Sequence, residues 1–303
     1  MDTLRKRVIH SHAHFLQRDV LYEKEKPYSL RYTPPEAFPR ANIRLEKHGI
    51  TVHDVRSTKD ELSFKEDGCV VMDLRTEMQN EDWDSEAKIK SVYLLEVADM
   101  LCRALNAVQV QIFEHTVRKR HETFPISTGQ PYKYNQPTSI AHVDTTVRWV
   151  LEMVRSLNPD NADEIVKHRV QCVNVWKPLV GPVKDWPLAL CKPQTIDPSM
   201  DLEPCDLVYP DYVVENQQVY FSEDLEWLYL SDQQPHEAWV FLQADTDPSG
   251  KPGKHAFDTV VSELIGEVPH TAFPLPDHSG EEAPRESIEV RALVYYGGVE
   301  TSE

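Results

Sequence analysis

The chain lacks any excess of positive charge: 32 Lys and Arg stand against 50 Asp and Glu, a formal net charge of −18 over 303 residues. Nucleic acids and anionic membrane surfaces recruit proteins through clustered Lys and Arg, and no basic stripe with interleaved aromatics occurs here, so neither is an expected partner. No apolar run approaches the roughly 20 residues of a spanning helix, which excludes a helical membrane span. The opening MDTLRKRVIHSHAHF has neither the apolar run nor the cleavage site of a secretory leader, and the closing GGVETSE carries no lipidation or organelle address. Paired cysteines are missing too. Cys69, Cys102, Cys172, Cys191 and Cys205 are odd in number and widely spaced, without CxxC, which argues against a disulfide framework or a structural zinc site. A reduced, cytoplasmic protein is expected. There is no Gly-rich phosphate loop, no GxSxG elbow, no HExxH, no internal repeat and no low-complexity tract.

What is present is core material: 40% hydrophobic residues, with six Trp, nine Phe and twelve Tyr. Residues 1–47 hold Pro27, Pro34, Pro35 and Pro39, which forbid long helices and predict an extended N-terminal arm. ITVHDVR (50–56) alternates like a strand, and LSFKEDGCVVMDL (62–74) reads as a hairpin or arch about Asp67-Gly68. Apolar residues at three-to-four spacing behind Ser85 predict a helix over 85–106. VQVQIFEHTV (108–117) reads as a strand, a Pro-, Gly- and Tyr-rich loop covers 124–138, and a second helix is expected over 145–157 with a turn or two at 160–168. Strand candidates then follow one another at RVQCVNVWKPL (169–179), PLALC (187–191), QVYFS (218–222), EWLYLS (226–231), EAWVFLQADT (237–246) and SIEVRALVYY (287–296). Short strands without alternating βα units point to an antiparallel β-barrel or sandwich with the helices outside. One domain over 1–303 is expected: the arm, a largely helical stretch at 85–168, and a β-rich core at 169–297.

Three clusters compete for a metal. His142-Val143-Asp144 places an imidazole and a carboxylate on one face of a strand, and with a distant histidine would form the facial triad of non-haem Fe(II) oxygenases. Alone the tripeptide is weak evidence among 13 histidines and 50 acidic residues. The distal candidates are His236, His255, His270 and His278. The second cluster, His10, His12 and His14, looks like the HxH that opens metal-dependent hydrolases on (β/α)8 barrels, although the alternation of that fold is absent. The third set is His115 with Arg118, and Asn174 with Trp176, where Asn174 is a polar residue in a buried-looking strand and needs a partner. Arg285-x-Ser287 lies fifteen positions beyond His270 at the start of the last strand, with Arg291 on the same face; a guanidinium there could grip a carboxylate in two-pronged fashion.

In order, FEHTVR, HVDTT, RVQCVNVWKPLVGPVKDWPLALC, PHTAF and APRESIEVRALVYY resemble the fungal AsaB-type hydroxylase/desaturase family, CmcJ-like Fe(II)/2-oxoglutarate oxygenases, over about residues 20–297. The resemblance implies a double-stranded β-helix (jelly roll, cupin-like) that is mainly β with flanking helices. It implies Fe(II), 2-oxoglutarate and O2, with His142, Asp144 and His270 as metal ligands and Arg285, assisted by Ser287, holding 2-oxoglutarate. Asn174 and Arg291 are further cofactor-binding candidates. The implied substrate is a small apolar fungal secondary metabolite, a terpenoid or meroterpenoid, hydroxylated, desaturated or converted to an endoperoxide by hydrogen-atom abstraction. Phe124, Tyr132 and Tyr134 of the 124–138 loop, with Trp176 and His115, are its candidate contacts. Two departures from the family pattern matter. The stretch 250–268 is longer than usual for the family and carries its own HAFD, so His255 stays a rival to His270; Lys177 stands in NVWKP where arginine is common. A homodimer, a hydrolase using His10, His12 and His14, and a non-catalytic binding barrel remain open.

Overall fold

The computed structural model describes residues 7–35, 37–126, 132–247, 267–276 and 282–299. Its strands, in chain order, are β1 (Val8–Leu16), β2 (Tyr28–Leu30), β3 (Leu45–Asp54), β4 (Cys69–Asp73), β5 (Gln109–Lys119), β6 (His142–Val143) and β7 (Val170–Pro178). They continue as β8 (Leu188–Cys191), β9 (Leu202–Val208), β10 (Val213–Val219), β11 (Trp227–Tyr229), β12 (Glu237–Asp245), β13 (His270–Ala272) and β14 (Glu286–Tyr295). Among the described residues these make a nine-stranded sheet, β1-β3-β11-β8-β13-β6-β10-β9-β2, and a five-stranded sheet, β4-β12-β7-β14-β5. The result is the expected jelly-roll architecture, mainly β with helices on its flank.

The larger sheet curls back on itself. The His14 N–H donates to the Ser139 carbonyl at 2.7 Å, and the Ala141 N–H donates to the His14 carbonyl at 2.8 Å, so β1 at one edge meets the segment that enters β6. Ile9, Ala13, Phe15, Val52, Ala141, Val143, Trp227 and Phe273 form one buried cluster, which strands so far apart in the sheet order can share only through that curl. The stretch read as an arm is indeed extended, but part of it is this edge strand. Alternation places Ile9, Ala13 and Phe15 inside and the three histidines between them outward.

In the smaller sheet the two faces of β14 have separate tasks. Val290, Ala292 and Val294 pack in a cluster that includes Val97 and Leu101 of the helix Leu94–Leu105, while Ser287, Glu289 and Arg291 face the larger sheet. That helix continues from Glu86–Lys88 through a π-helical turn at Ile89–Tyr93, so the 85–106 expectation is met in extent. Ser85 caps it, its Oγ accepting the Lys88 N–H.

Two local expectations are corrected. No hairpin forms at Asp67-Gly68: Phe64–Asp67 is one helical turn, the Asp67 carboxylate accepts the Ser63 N–H at 2.8 Å, and Gly68 ends the turn at φ 67°. That left-handed conformation costs glycine little, so the chain leaves the turn directly into β4, whose partner is β12. The second helix begins at Val147 because Thr146 is its cap, the hydroxyl accepting the Trp149 N–H at 3.1 Å; the expected 160–168 segment shrinks to Ala162–Ile165.

Where β3 ends, Arg56 and Lys59 reach across to Glu237 at the start of β12. Burial alone would push this carboxyl up, but hydrogen bonds from Arg56, the Gln234 N–H and Lys59 outweigh it and hold it down at about 2. Its folded pKa lies below its unfolded value, so its stabilising contribution is complete above about 4.5 and fades as pH falls toward 2. Glu237→Gln is therefore expected to lower the melting temperature at neutral pH and to shrink the drop between pH 5 and pH 2, read by thermal scans across that range. An unchanged acid limb would show the cluster adds nothing.

Candidate metal centre

His142 in β6 and His270 in β13 are directly opposite each other in an antiparallel pair. Cross-strand partners project to the same face, and their rings lie 4.4 Å apart between centroids. Asp144, two residues past His142, follows on that face. His142 Nε2 is 3.4 Å from Asp144 Oδ1, and His270 Nε2 is 3.5 Å from Asp144 Oδ2. One potential ligand atom from each residue lies within 4.8 Å of the others, and among the described residues this is the one such group of three. Two imidazoles and one carboxylate leaving the remaining positions open suit Fe(II).

The surroundings prepare each donor. The Ile140 carbonyl can only accept, so His142 Nδ1 donates to it at 2.7 Å and Nε2 is left with its lone pair toward the cluster. Burial, and the neighbouring His142, push His270 down to about 4 against the pull of Asp144, so its imidazole is neutral. Burial alone would raise the Asp144 carboxyl, but Arg291, His270 and His142 hold it well below the ordinary range. The carboxylate is also fixed in place: Asn174 Nδ2 donates to Oδ2 at 2.6 Å, and Arg291 Nη2 donates to Oδ1 at 2.7 Å. Gln243 Oε1 accepts the Asp144 N–H at 2.7 Å, while its Nε2 donates to the Val268 carbonyl at 2.9 Å, tying the two ligand-bearing segments together.

Arg285 and Ser287 stand farther along the same face of β14. Arg285 is 5% exposed, and its guanidinium lies 5.5 Å over the Trp176 ring. Its Nη1 donates to the Trp186 carbonyl at 2.6 Å, but among the described residues Nε has no partner, nor does the fully buried Ser287 hydroxyl. Buried polar groups left without partners are costly, and this pair fits a carboxylate. Burial and the nearby Arg118 push the Arg285 guanidinium down to about 9, against the pull of Asp185 and Glu289, with Arg120 adding to the downward push. At neutral pH it is charged, and its setting favours an anion.

The other candidates divide. Arg291 bonds three carboxylates, Glu114 at 2.9 Å and Glu289 at 3.0 Å besides Asp144, and those contacts put it and Asn174 behind Asp144; its Nε has no partner among the described residues. Trp176 lies beneath Arg285, and Phe124 meets Trp186 edge to face at 5.0 Å, beside the same arginine. His115 turns away, with Nε2 at 3.0 Å from Glu86 on the helical flank. Tyr134 goes to Asp84 at 3.0 Å, and Tyr132 donates to the Ile126 carbonyl at 2.6 Å. His236 is on another surface, while His255 and His278 lie outside the described residues. His10 and His14 contact Thr51 and Ser139, and no carboxylate completes a metal set with them among the described residues.

Sequence reasoning missed Gln243, Glu114 and Trp186. Gln243 had a signal, an amide interrupting the apolar strand EAWVFLQAD. Trp186 had none: it sits at φ 44°, a region that costs a non-glycine residue roughly 1–3 kcal/mol. The distortion accompanies a carbonyl aimed at Arg285.

A family profile described as "Oxidoreductase/YMDC permease-like domain" matches residues 14–295. The chain is 30% identical over 288 residues to the Fe(II)/2-oxoglutarate-dependent dioxygenase nvfI of Aspergillus novofumigatus, covering 93% of this chain and 95% of that protein. It is 30% identical over 274 residues to the alpha-ketoglutarate-dependent dioxygenase tstK of Talaromyces stipitatus, covering 87% and 92%. The solved structure of an iron and alpha-ketoglutarate-dependent endoperoxidase, NvfI, superposes with a TM-score of 0.79 at 27% identity, over 97% of this chain and 99% of that one. A hydrolase and a non-catalytic barrel are both overturned by these relatives.

Proposed function

The chain belongs to the Fe(II)/2-oxoglutarate-dependent dioxygenases, and from that premise we propose that it oxidises a small apolar fungal secondary metabolite of terpenoid or meroterpenoid type. Iron, 2-oxoglutarate and O2 are its cofactor and co-substrates. Together they supply the power to abstract a hydrogen atom from an unactivated C–H bond, with succinate and CO2 as co-products. His142, Asp144 and His270 would hold the ion, the two histidines through ring nitrogens and Asp144 through its carboxylate. Asn174, Gln243 and Arg291 keep Asp144 in one orientation, and ligand supports of this kind typically matter 10–100-fold for metal affinity or activity. Arg285, with Ser287, grips the far carboxylate of 2-oxoglutarate, and Trp176 supports the guanidinium from below. Phe124 and Trp186 border that end of the site and are the aromatic groups best placed to meet an apolar body. Hydroxylation, desaturation and endoperoxide formation share the first abstraction and diverge afterwards; relatives named as hydroxylase/desaturase and endoperoxidase span these outcomes. The reading includes one domain over 1–303, a cytoplasmic location consistent with five free thiols, and a homodimer as the assembly to check by sedimentation.

The observation that carries it is the convergence of two imidazoles and a carboxylate with a buried arginine Nε and serine hydroxyl that have no partner among the described residues. Under anaerobic conditions, Fe(II) with 2-oxoglutarate is expected to give a weak visible charge-transfer band that neither gives alone. Tightly held zinc with no spectral or calorimetric response to 2-oxoglutarate would sink the proposal.

A further inference from the structure

Lys177 follows Trp176 in β7, so its side chain leaves the opposite face of the five-stranded sheet, away from the metal ligands. It is 2% exposed. The ammonium lies 5.7 Å from the Trp83 ring centroid and 5.4 Å from that of Tyr93, and its one hydrogen bond is a long one, 3.4 Å to the Leu74 carbonyl. An ammonium carries three N–H donors, so two are left without an acceptor. Aromatic faces offset part of the cost of burying a cation, but they do not replace hydrogen bonds. The strain is visible in its acidity: burial pushes Lys177 down to about 8 despite the pull of Glu96.

Beside it opens a cavity of about 420 Å³, within the usual range for small-molecule sites. Met78, Trp83 and Leu179 give it an apolar wall, Thr76 and Asn80 add polar groups, and its charged lining residues are Lys177 and Arg75, with His236 at the wall. Among the described residues no carboxylate lines it, in a chain whose net charge is −18. A cation with unused donors at an apolar cavity calls for an anion that carries its own apolar body.

We propose that this cavity binds a small organic carboxylate, its carboxylate on Lys177 Nζ and its apolar body against Trp83 and Met78. The site is separate from the 2-oxoglutarate end of the barrel, on the other side of β7, and does not depend on the oxidative reading. Benzoate is a suitable probe. Titration calorimetry of the full chain at pH 7, without iron or 2-oxoglutarate, is expected to show saturable one-to-one binding. Lys177→Met should weaken it at least tenfold, and Arg75→Glu, at an exposed side chain that folding does not require, several-fold. Arg285→Ala should leave it unchanged. Absence of saturable heat in the unaltered chain overturns the proposal, as does equal affinity in Arg75→Glu and the parent. Loss of binding in Arg285→Ala alone would place benzoate at the other site and overturn it equally.

Discussion

Asp144→Ala is expected to reduce iron uptake and iron-dependent succinate formation to background. Removing a supporting residue behind a ligand typically costs 10–100-fold, and removing the single carboxylate among three ligands exceeds that, because two neutral imidazoles leave the ion's charge unbalanced. The effect on folding should be much smaller. Arg291 keeps Glu289 and Glu114, so no buried charge is stranded, and the penalty of about 3–5 kcal/mol for breaking a buried pair does not apply in full. The Asn174 amide loses its acceptor, worth roughly 1–3 kcal/mol. Metal content by mass spectrometry, succinate by chromatography and a melting curve on one preparation separate the two effects. His10→Ala and His12→Ala serve as controls and should match the parent. Full activity in Asp144→Ala would remove the metal centre from this site.

Arg285→Ala is expected to raise the 2-oxoglutarate concentration for half-maximal turnover by roughly a hundredfold. Each hydrogen bond to a charged group contributes roughly 1.5–3 kcal/mol, and the mutation removes the guanidinium from a pocket where Ser287 alone cannot hold a carboxylate. Arg285→Lys should recover only part of this, since a point charge does not reproduce a two-pronged grip. Arg291→Ala should act differently, weakening iron retention through Asp144 with a smaller change in the 2-oxoglutarate requirement. Steady-state curves against 2-oxoglutarate at saturating iron decide it, and the reverse pattern would give the anchor to Arg291.

Several strands and the first long helix were legible because their signals are local. Alternation marks β3, β-prone runs mark β7 and β12, and apolar spacing marks the helix behind Ser85; β2 and β9 were not read as strands, and β10 runs over Val213–Val219 rather than 218–222. The lone HxD was ambiguous, since nothing in the tripeptide says which later histidine returns to face it; the pairing of β13 with β6 supplies that. What stayed illegible depends on contacts between distant segments. The His10–His14 run looks like a metal motif in sequence, yet alternation turns all three rings outward while the strand closes the curled sheet. Arg285 and Arg291 were equivalent by face and periodicity. They separated only when Asp144, Glu114 and Glu289 took the Arg291 guanidinium, while that of Arg285 bonds the Trp186 carbonyl instead. Tyr134 and His115 were drawn off by Asp84 and Glu86, surface carboxylates with no place in a linear pattern.

The placement of β14 also governs when during synthesis a site can exist. It lies between β7 and β5 in the smaller sheet, and its Arg291 is 147 residues from the Asp144 it holds. A ribosome therefore exposes His142 and Asp144 long before β14 can be threaded between its neighbours. Pairings of such long range form slowly, and a strand with a neighbour on each side cannot be postponed to a peripheral docking step. The Arg291 contact that holds Asp144 in place is therefore expected to form only once β14 has been inserted, among the last steps of folding.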